Sequence, residues 1–142
     1  MSDISYTATS VRPIQGYVSR RFNAGGSIYA GQGVYVDSGG SVQASDCDAG
    51  SLEALAIGVM IADNDGGTLA TSGDVVDVVV FGCVTGYSSM TPGALVFAST
   101  TAGGLVQGTP SAGSYVVPVG IAFDASTLFV NPCHSSAYVT KS

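Results

Sequence analysis

The chain has 142 residues, room for one domain with a sizeable core. Only 10% of its residues are charged and 46% are hydrophobic, with a mean hydropathy of +0.40, against roughly 25% charged in ordinary soluble domains. A net charge of −6 and a pI near 4.1 argue against nucleic acid as a partner, because an acidic body repels phosphate backbones.

Residues 1–13, MSDISYTATSVRP, are polar, rich in Ser and Thr, and end in a proline that holds its predecessor extended. They read as an extended N-terminal arm outside a packed domain at 14–132, with no signal peptide. Ile14–Arg20 is a first strand and Phe22–Gly26 a turn. Gly31–Val36 and Val42–Ala44 are strands joined through Asp37-Ser38-Gly39-Gly40, a hairpin turn whose glycines accept positive φ. After a polar loop at Ser45–Ser51, Leu52–Ala62 mixes the helix formers LEALA with β-branched IGVMI and is expected to be mainly strand.

Asp63–Gly67 is a turn and Thr68–Ala70 a short strand. Asp74–Cys83, DVVDVVVFGC, is a long strand whose near-continuous apolar character predicts cover on both faces, from a second sheet or a neighbouring subunit. From Thr91 the plan repeats. Ala94–Ala98 is a strand, Ser99–Gly104 a turn, Leu105–Gln107 the return, 109–114 a loop, and Tyr115–Phe123 a long strand. Pro118 within that strand marks an edge or bulge, since it donates no ladder bond. Thr127–Val130 is the last strand, and 133–142 is a C-terminal tail.

Segments 31–63 and 92–124 therefore share one design. Val34-Tyr35-Val36 matches Leu95-Val96-Phe97, and Gly39-Gly40-Ser41-Val42-Gln43 matches Gly103-Gly104-Leu105-Val106-Gln107. Ile57-Gly58-Val59 matches Val119-Gly120-Ile121, and upstream Gly16–Ser19 resembles Gly82–Thr85. Two copies are too few for a solenoid. The fold expected is all-β: one single-domain sandwich, jelly-roll-like, or a small barrel, built from two similar β-modules.

Reaction chemistry is sparse. The one histidine, His134, follows Cys133 in the tail, and a Cys-His dipeptide alone builds neither a triad nor a paired metal site. Neither a catalytic residue nor a cofactor is expected. Cys47, Cys83 and Cys133 are odd in number and widely spaced, which suits reduced thiols and folding in a cytoplasm. The Asp63-Asn64-Asp65-Gly66-Gly67 turn has its glycine too early for an EF-hand, although an irregular calcium turn at Asp63 and Asp65 fits the same oxygen chemistry. No apolar run is long enough to span a bilayer, so no membrane partner is expected. All four basic residues lie towards the ends: Arg12, Arg20, Arg21 and Lys141.

The succession GDVVDVVVFGCVTG, TPGALVFASTTAGGLVQ and SAGSYVVPVGIAFDASTLFVNP resembles small capsid decoration, or cement, proteins of tailed bacteriophages. The resemblance covers Gly73–Pro132 well and the first copy more loosely. It implies a virion protein on the capsid exterior that clamps adjacent major capsid protein subunits, works as a homodimer or homotrimer on symmetry axes, and has no enzyme activity. The lattice contacts are then expected on the arm and its neighbour, Arg12, Arg20, Arg21 and Phe22, and on the tail, Tyr138 and Lys141. A head-fibre or tail-associated module binding a cell-surface glycan is the alternative, with DNDGG and Tyr87 as its only candidate groove.

Overall fold

The computed structural model describes residues 3–108 and 112–134. Among them are one 3-10 turn at Ala8–Ser10, no α-helix, and fourteen strands. These are β1 (Ser5–Tyr6), β2 (Arg12–Pro13), β3 (Val18–Asn23), β4 (Ile28–Tyr29), β5 (Gly33–Val36), β6 (Val42–Ala44), β7 (Gly58–Asp63) and β8 (Leu69–Ala70). Then follow β9 (Val75–Thr85), β10 (Tyr87–Ser88), β11 (Leu95–Ala98), β12 (Leu105–Gln107), β13 (Pro118–Ala122) and β14 (Thr127–Val130). The fold is all-β and single-domain, its main sheet curled into a half-barrel.

That sheet runs β12-β11-β13-β14-β9-β7-β5-β6, with β2 and β3 also paired to β9. It consists of two like units that share a strand. One is β3-β9-β7-β5-β6, using Val75–Phe81 of β9. The other is β9-β14-β13-β11-β12, using Gly82–Thr85. The valine run at 75–80 makes so long a strand natural, since β-branched side chains favour extended backbone and pack well on a pleated surface. A single hydrophobic cluster joins Val34, Val59, Met60 and Val78 of the first unit to Val96, Val119, Leu128 and Val130 of the second.

The repeat is visible in the register: the Gly58–Gly120 match stands as read in the sequence, while the first strand and the hairpin are one residue away from theirs. Val34 pairs with Gly58, and Val96 pairs with Gly120. A Cβ at Gly58 would stand 1.9 Å from the Val79 carbonyl oxygen, and one at Gly120 would stand 1.9 Å from that of Phe129. The two glycines thus do the same job, letting a neighbouring backbone approach where no side chain fits. Val34 is therefore equivalent to Val96, not Leu95. In the hairpins, Gly40 (φ 87°) answers Gly103 (φ 76°), not Gly104, because five residues (37–41) join β5 to β6 while six (99–104) join β11 to β12.

The N-terminal segment is extended, but from Asp3 it lies on the body as part of it. The Ile4 N–H donates to the Leu105 carbonyl at 2.7 Å, and β1 pairs with β10. The Ser99 hydroxyl donates to the Asp3 carboxylate. Residues 3–6 thereby bridge β10 to the β12 edge. In the first unit the corresponding seam closes directly, with Ala24 bridging Val42 and the Gly25 N–H bonded to the Val42 carbonyl at 2.8 Å. Buried Val11 adds a hydrophobic anchor that outweighs the polar character read from sequence.

Two other expectations change. Leu52–Leu55 is not strand: Ala54 N–H bonds to Gly50 O at 3.2 Å and Leu55 N–H to Leu52 O at 3.1 Å, so LEALA follows its helical preference for a single turn and β7 starts at Gly58. Likewise Tyr115–Val117 precede the strand, which begins at Pro118 beside a register shift on β11, where a residue without an N–H belongs.

Candidate functional site

Strand alternation decides which side chains of the shared sheet meet solvent. On β9, Val76, Val78, Gly82 and Val84 point to the core, while Phe81 and Cys83 point outward. Cys83 pairs with Phe129, Phe129 with Ile121, and Ile121 with Leu95, which places one outward row across four strands. Phe81 meets Phe129 edge-on at 5.2 Å between ring centroids, and Phe123 stacks on Phe129 at 5.0 Å. Val18 of β3 continues the row as the partner of Phe81. Phe123 is 57% exposed, Leu95 51% and Phe81 47%.

Beside this aromatic ridge lies an apolar groove of about 400 Å³ lined by Leu95, Pro118, Ile121, Phe129, Asn131 and Cys133. Neither ridge nor groove contains a charged side chain. Asp124, at the end of β13, has its carboxylate occupied by the N–H groups of Ser126 (2.9 Å) and Thr127 (2.8 Å), which hold its pKa below the ordinary value. The Cys83 thiol is pushed up, first by burial and then by Asp124. A second pocket of about 610 Å³ sits at the N-terminal seam between Asp3–Ser5 and Ser88–Thr91.

The three arginines do not cluster. Arg12 on β2 is opposite Thr85, and Arg20 on β3 is opposite Val78, seven residues away on β9 and thus on the order of 23 Å at strand spacing. They line one side of β9 as a dispersed basic edge. The Arg12 guanidinium folds back on the carbonyls of Thr9 (2.9 Å) and Val11 (2.8 Å). Arg21 forms a 3.1 Å ion pair with Asp77, exposed enough to be worth little. Arg20 is exposed with no carboxylate partner among the described residues. Phe22 is half-buried against the core and serves packing. Tyr138 and Lys141 lie outside the described residues.

A scan of protein-family models finds no match, and a search of curated proteins finds none either. The geometry must speak for itself. Tyr87 is buried, with its hydroxyl donating to the Gly31 carbonyl at 2.8 Å, so it lines no groove for a sugar. In the DNDGG turn one Asp63 oxygen accepts from the N–H groups of Asp65 (2.9 Å) and Gly67 (2.6 Å), the turn-making role of aspartate. Among the described residues no group of three or more His, Cys, Asp or Glu is placed to hold a metal ion. His134 Nε2 lies 2.7 Å from the Ala56 carbonyl oxygen, within hydrogen-bond distance. Burial pushes the Cys47 thiol up to about 11, far from a reactive thiolate.

The apolar face is the feature that sequence reasoning missed. The signal was present in the alternation of Phe81, Cys83 and Thr85 and in the spacing of Phe123 and Phe129. It was masked by the valine run that precedes it, in which Val76, Val78 and Val79 are buried on both faces of the strand.

Proposed function

We propose that this chain is a capsid decoration protein, a structural component that binds the outer surface of an icosahedral phage head and cements adjacent major capsid protein subunits. The observation that carries the reading is a β-body that offers partners two unlike surfaces, an aromatic sheet face without charged side chains and a basic edge strand on which Arg20 has no carboxylate partner among the described residues. The resemblance of Gly73–Pro132 to decoration proteins supports it. The reading assigns no catalytic residue and no cofactor, with folding in the host cytoplasm and a final place on the capsid exterior.

The mechanism is physical. Packed DNA strains the shell, and a protein that binds the assembled lattice but not its separated subunits stabilises the lattice by mass action. Many copies, each with more than one contact, add avidity, so each contact can be modest. The basic edge suits acidic capsid surface, where rim charges raise the rate of encounter. Purified protein mixed with expanded heads that lack it should bind at a fixed stoichiometry and raise their disruption temperature. Heads that bind none of it would end this reading.

A further inference from the structure

The two units treat the same face in opposite ways. The positions equivalent to Leu95, Ile121 and Phe129 are Gly33, Val59 and Val79, and in the first unit all three are buried, Val59 and Val79 completely. In the second unit the matching side chains are larger, yet Leu95 is exposed and Ile121 and Phe129 are only half-buried among the described residues.

We infer that the chain covers this face itself, with residues 135–142, SSAYVTKS, laid along the groove as a strap. Three segments lie outside the described residues, 1–2, 109–111 and 135–142, and only the last begins at the groove. Asn131 and Cys133 form part of its lining. The Cys133 N–H bonds to the Pro118 carbonyl at 3.1 Å, and His134 Nε2 lies 2.7 Å from the Ala56 carbonyl oxygen, so the strap starts from a fixed point at the Pro118 end.

Length and residue order both fit. From Pro118 to Asp124 is six residues, on the order of 20 Å at strand spacing, and the eight residues from Cys133 to Lys141 reach about 26 Å. The difference is about two residues, enough for the chain to turn back. With that turn made, Tyr138 arrives level with Ile121 and Lys141 level with Asp124, because the two pairs have the same spacing. The apolar run Ala137-Tyr138-Val139 thus meets Leu95, Ile121 and Phe129. Lys141, the one basic residue after Arg21, meets the acid that adjoins the face. An exposed ion pair adds little strength, but it gives the strap a direction. Tethering supplies the rest: a segment fixed at the rim meets the groove at an effective concentration on the order of mM, so a contact too weak to hold a free peptide holds the tail. Displacement of the strap by the capsid lattice, which would free the face only where it is used, rests on the decoration reading.

Nuclear magnetic resonance of the full chain tests the inference. Cross-peaks between the Tyr138 ring and the Ile121 methyl groups are expected at every protein concentration. Tyr138→Asp should free the tail and raise the fluorescence of anilinonaphthalene sulfonate, a dye for apolar surface, several-fold, whereas Tyr138→Phe should leave it unchanged. Lys141→Glu sets a like charge beside Asp124 and should raise it less, roughly twofold. Circular dichroism checks that each variant is folded. Absent cross-peaks in the parent chain overturn the inference, as does equal dye binding by the parent and Tyr138→Asp. Cross-peaks that vanish on dilution also overturn it, since another molecule would then cover the face. Heads that lack the protein should bind Tyr138→Asp roughly tenfold more tightly than the parent, because none of it is held closed. Equal or weaker binding overturns displacement by the lattice. Heads that bind neither chain defeat the decoration reading alone and leave the strap, read by resonance, standing.

Discussion

The two units share one backbone plan, yet one is finished and the other is not. In the first, β5, β7 and the start of β9 are covered on both faces, and small side chains, Gly33, Val59 and Val79, fit beneath that cover. In the second, Leu95, Ile121 and Phe129 occupy the same places, larger and turned to solvent. Shared register with divergent outer faces separates scaffold from surface. What both units keep, such as Gly58 and Gly120, serves the fold, and what differs serves contact.

The strongest way to break the comparison is at the paired glycines. Gly58→Ala and Gly120→Ala each put a methyl group 1.9 Å from a carbonyl oxygen, and each should cost about 3 kcal/mol or more in urea unfolding. Tolerance at one site alone would mean that the equivalence is superficial. Next come the two faces of β13 and β14. Leu128→Ala removes a fully buried side chain and should cost about 2–5 kcal/mol, whereas Phe123→Ser should fall within about 0.5 kcal/mol when measured on the monomer. A smaller loss, about 1–2 kcal/mol, is expected for Tyr87→Phe, which leaves the buried Gly31 carbonyl without this donor.

The smallest effect is pH dependence in the first unit's polar loop. Burial, then a hydrogen bond with Asp48, pushes Asp46 from 3.8 up to about 6. A folded-state value above the unfolded one means that Asp46 favours the fold fully below pH 3.8, and that this contribution is lost as pH rises through about 6. Asp37 and Asp124 are shifted down and act in the opposite sense, losing their contribution only as pH falls through their depressed values. The unfolding midpoint of Asp46→Asn followed from pH 4 to 7 should therefore lack the decline seen in the parent chain. A parent profile that is flat over that range would refute the assignment.

Much of the fold was legible because valine runs and glycine turns speak locally. The all-β class, the hairpin at Asp37–Gly40, the bulge at Pro118 and the duplication all follow from such signals. The one-residue slip in the repeat arose where local signals mislead: Gly39-Gly40 and Gly103-Gly104 look alike as letters, but only Gly40 and Gly103 hold the left-handed conformation. Non-local facts were harder to read. Nothing in SDISY announces that Ile4 bonds to Leu105, and nothing in VVVFGC says that cover ends at Phe81. Arg20 and Arg21 were legible as exposed basic residues, and Phe22, on the same strand, belongs to the core.

The N-terminal seam also sets an order of events during synthesis. The strands of the first unit all lie within residues 18–85, so its strand pairing is complete once β9 leaves the ribosome, although the Gly33 N–H still waits for the Gly103 carbonyl. Ile4 is made about 100 residues before its acceptor Leu105, roughly 5–20 s at ordinary elongation rates. Ile4 thus waits on a partner made far later in the chain, and the second unit, whose β14 pairs with β9 and β13, closes later still.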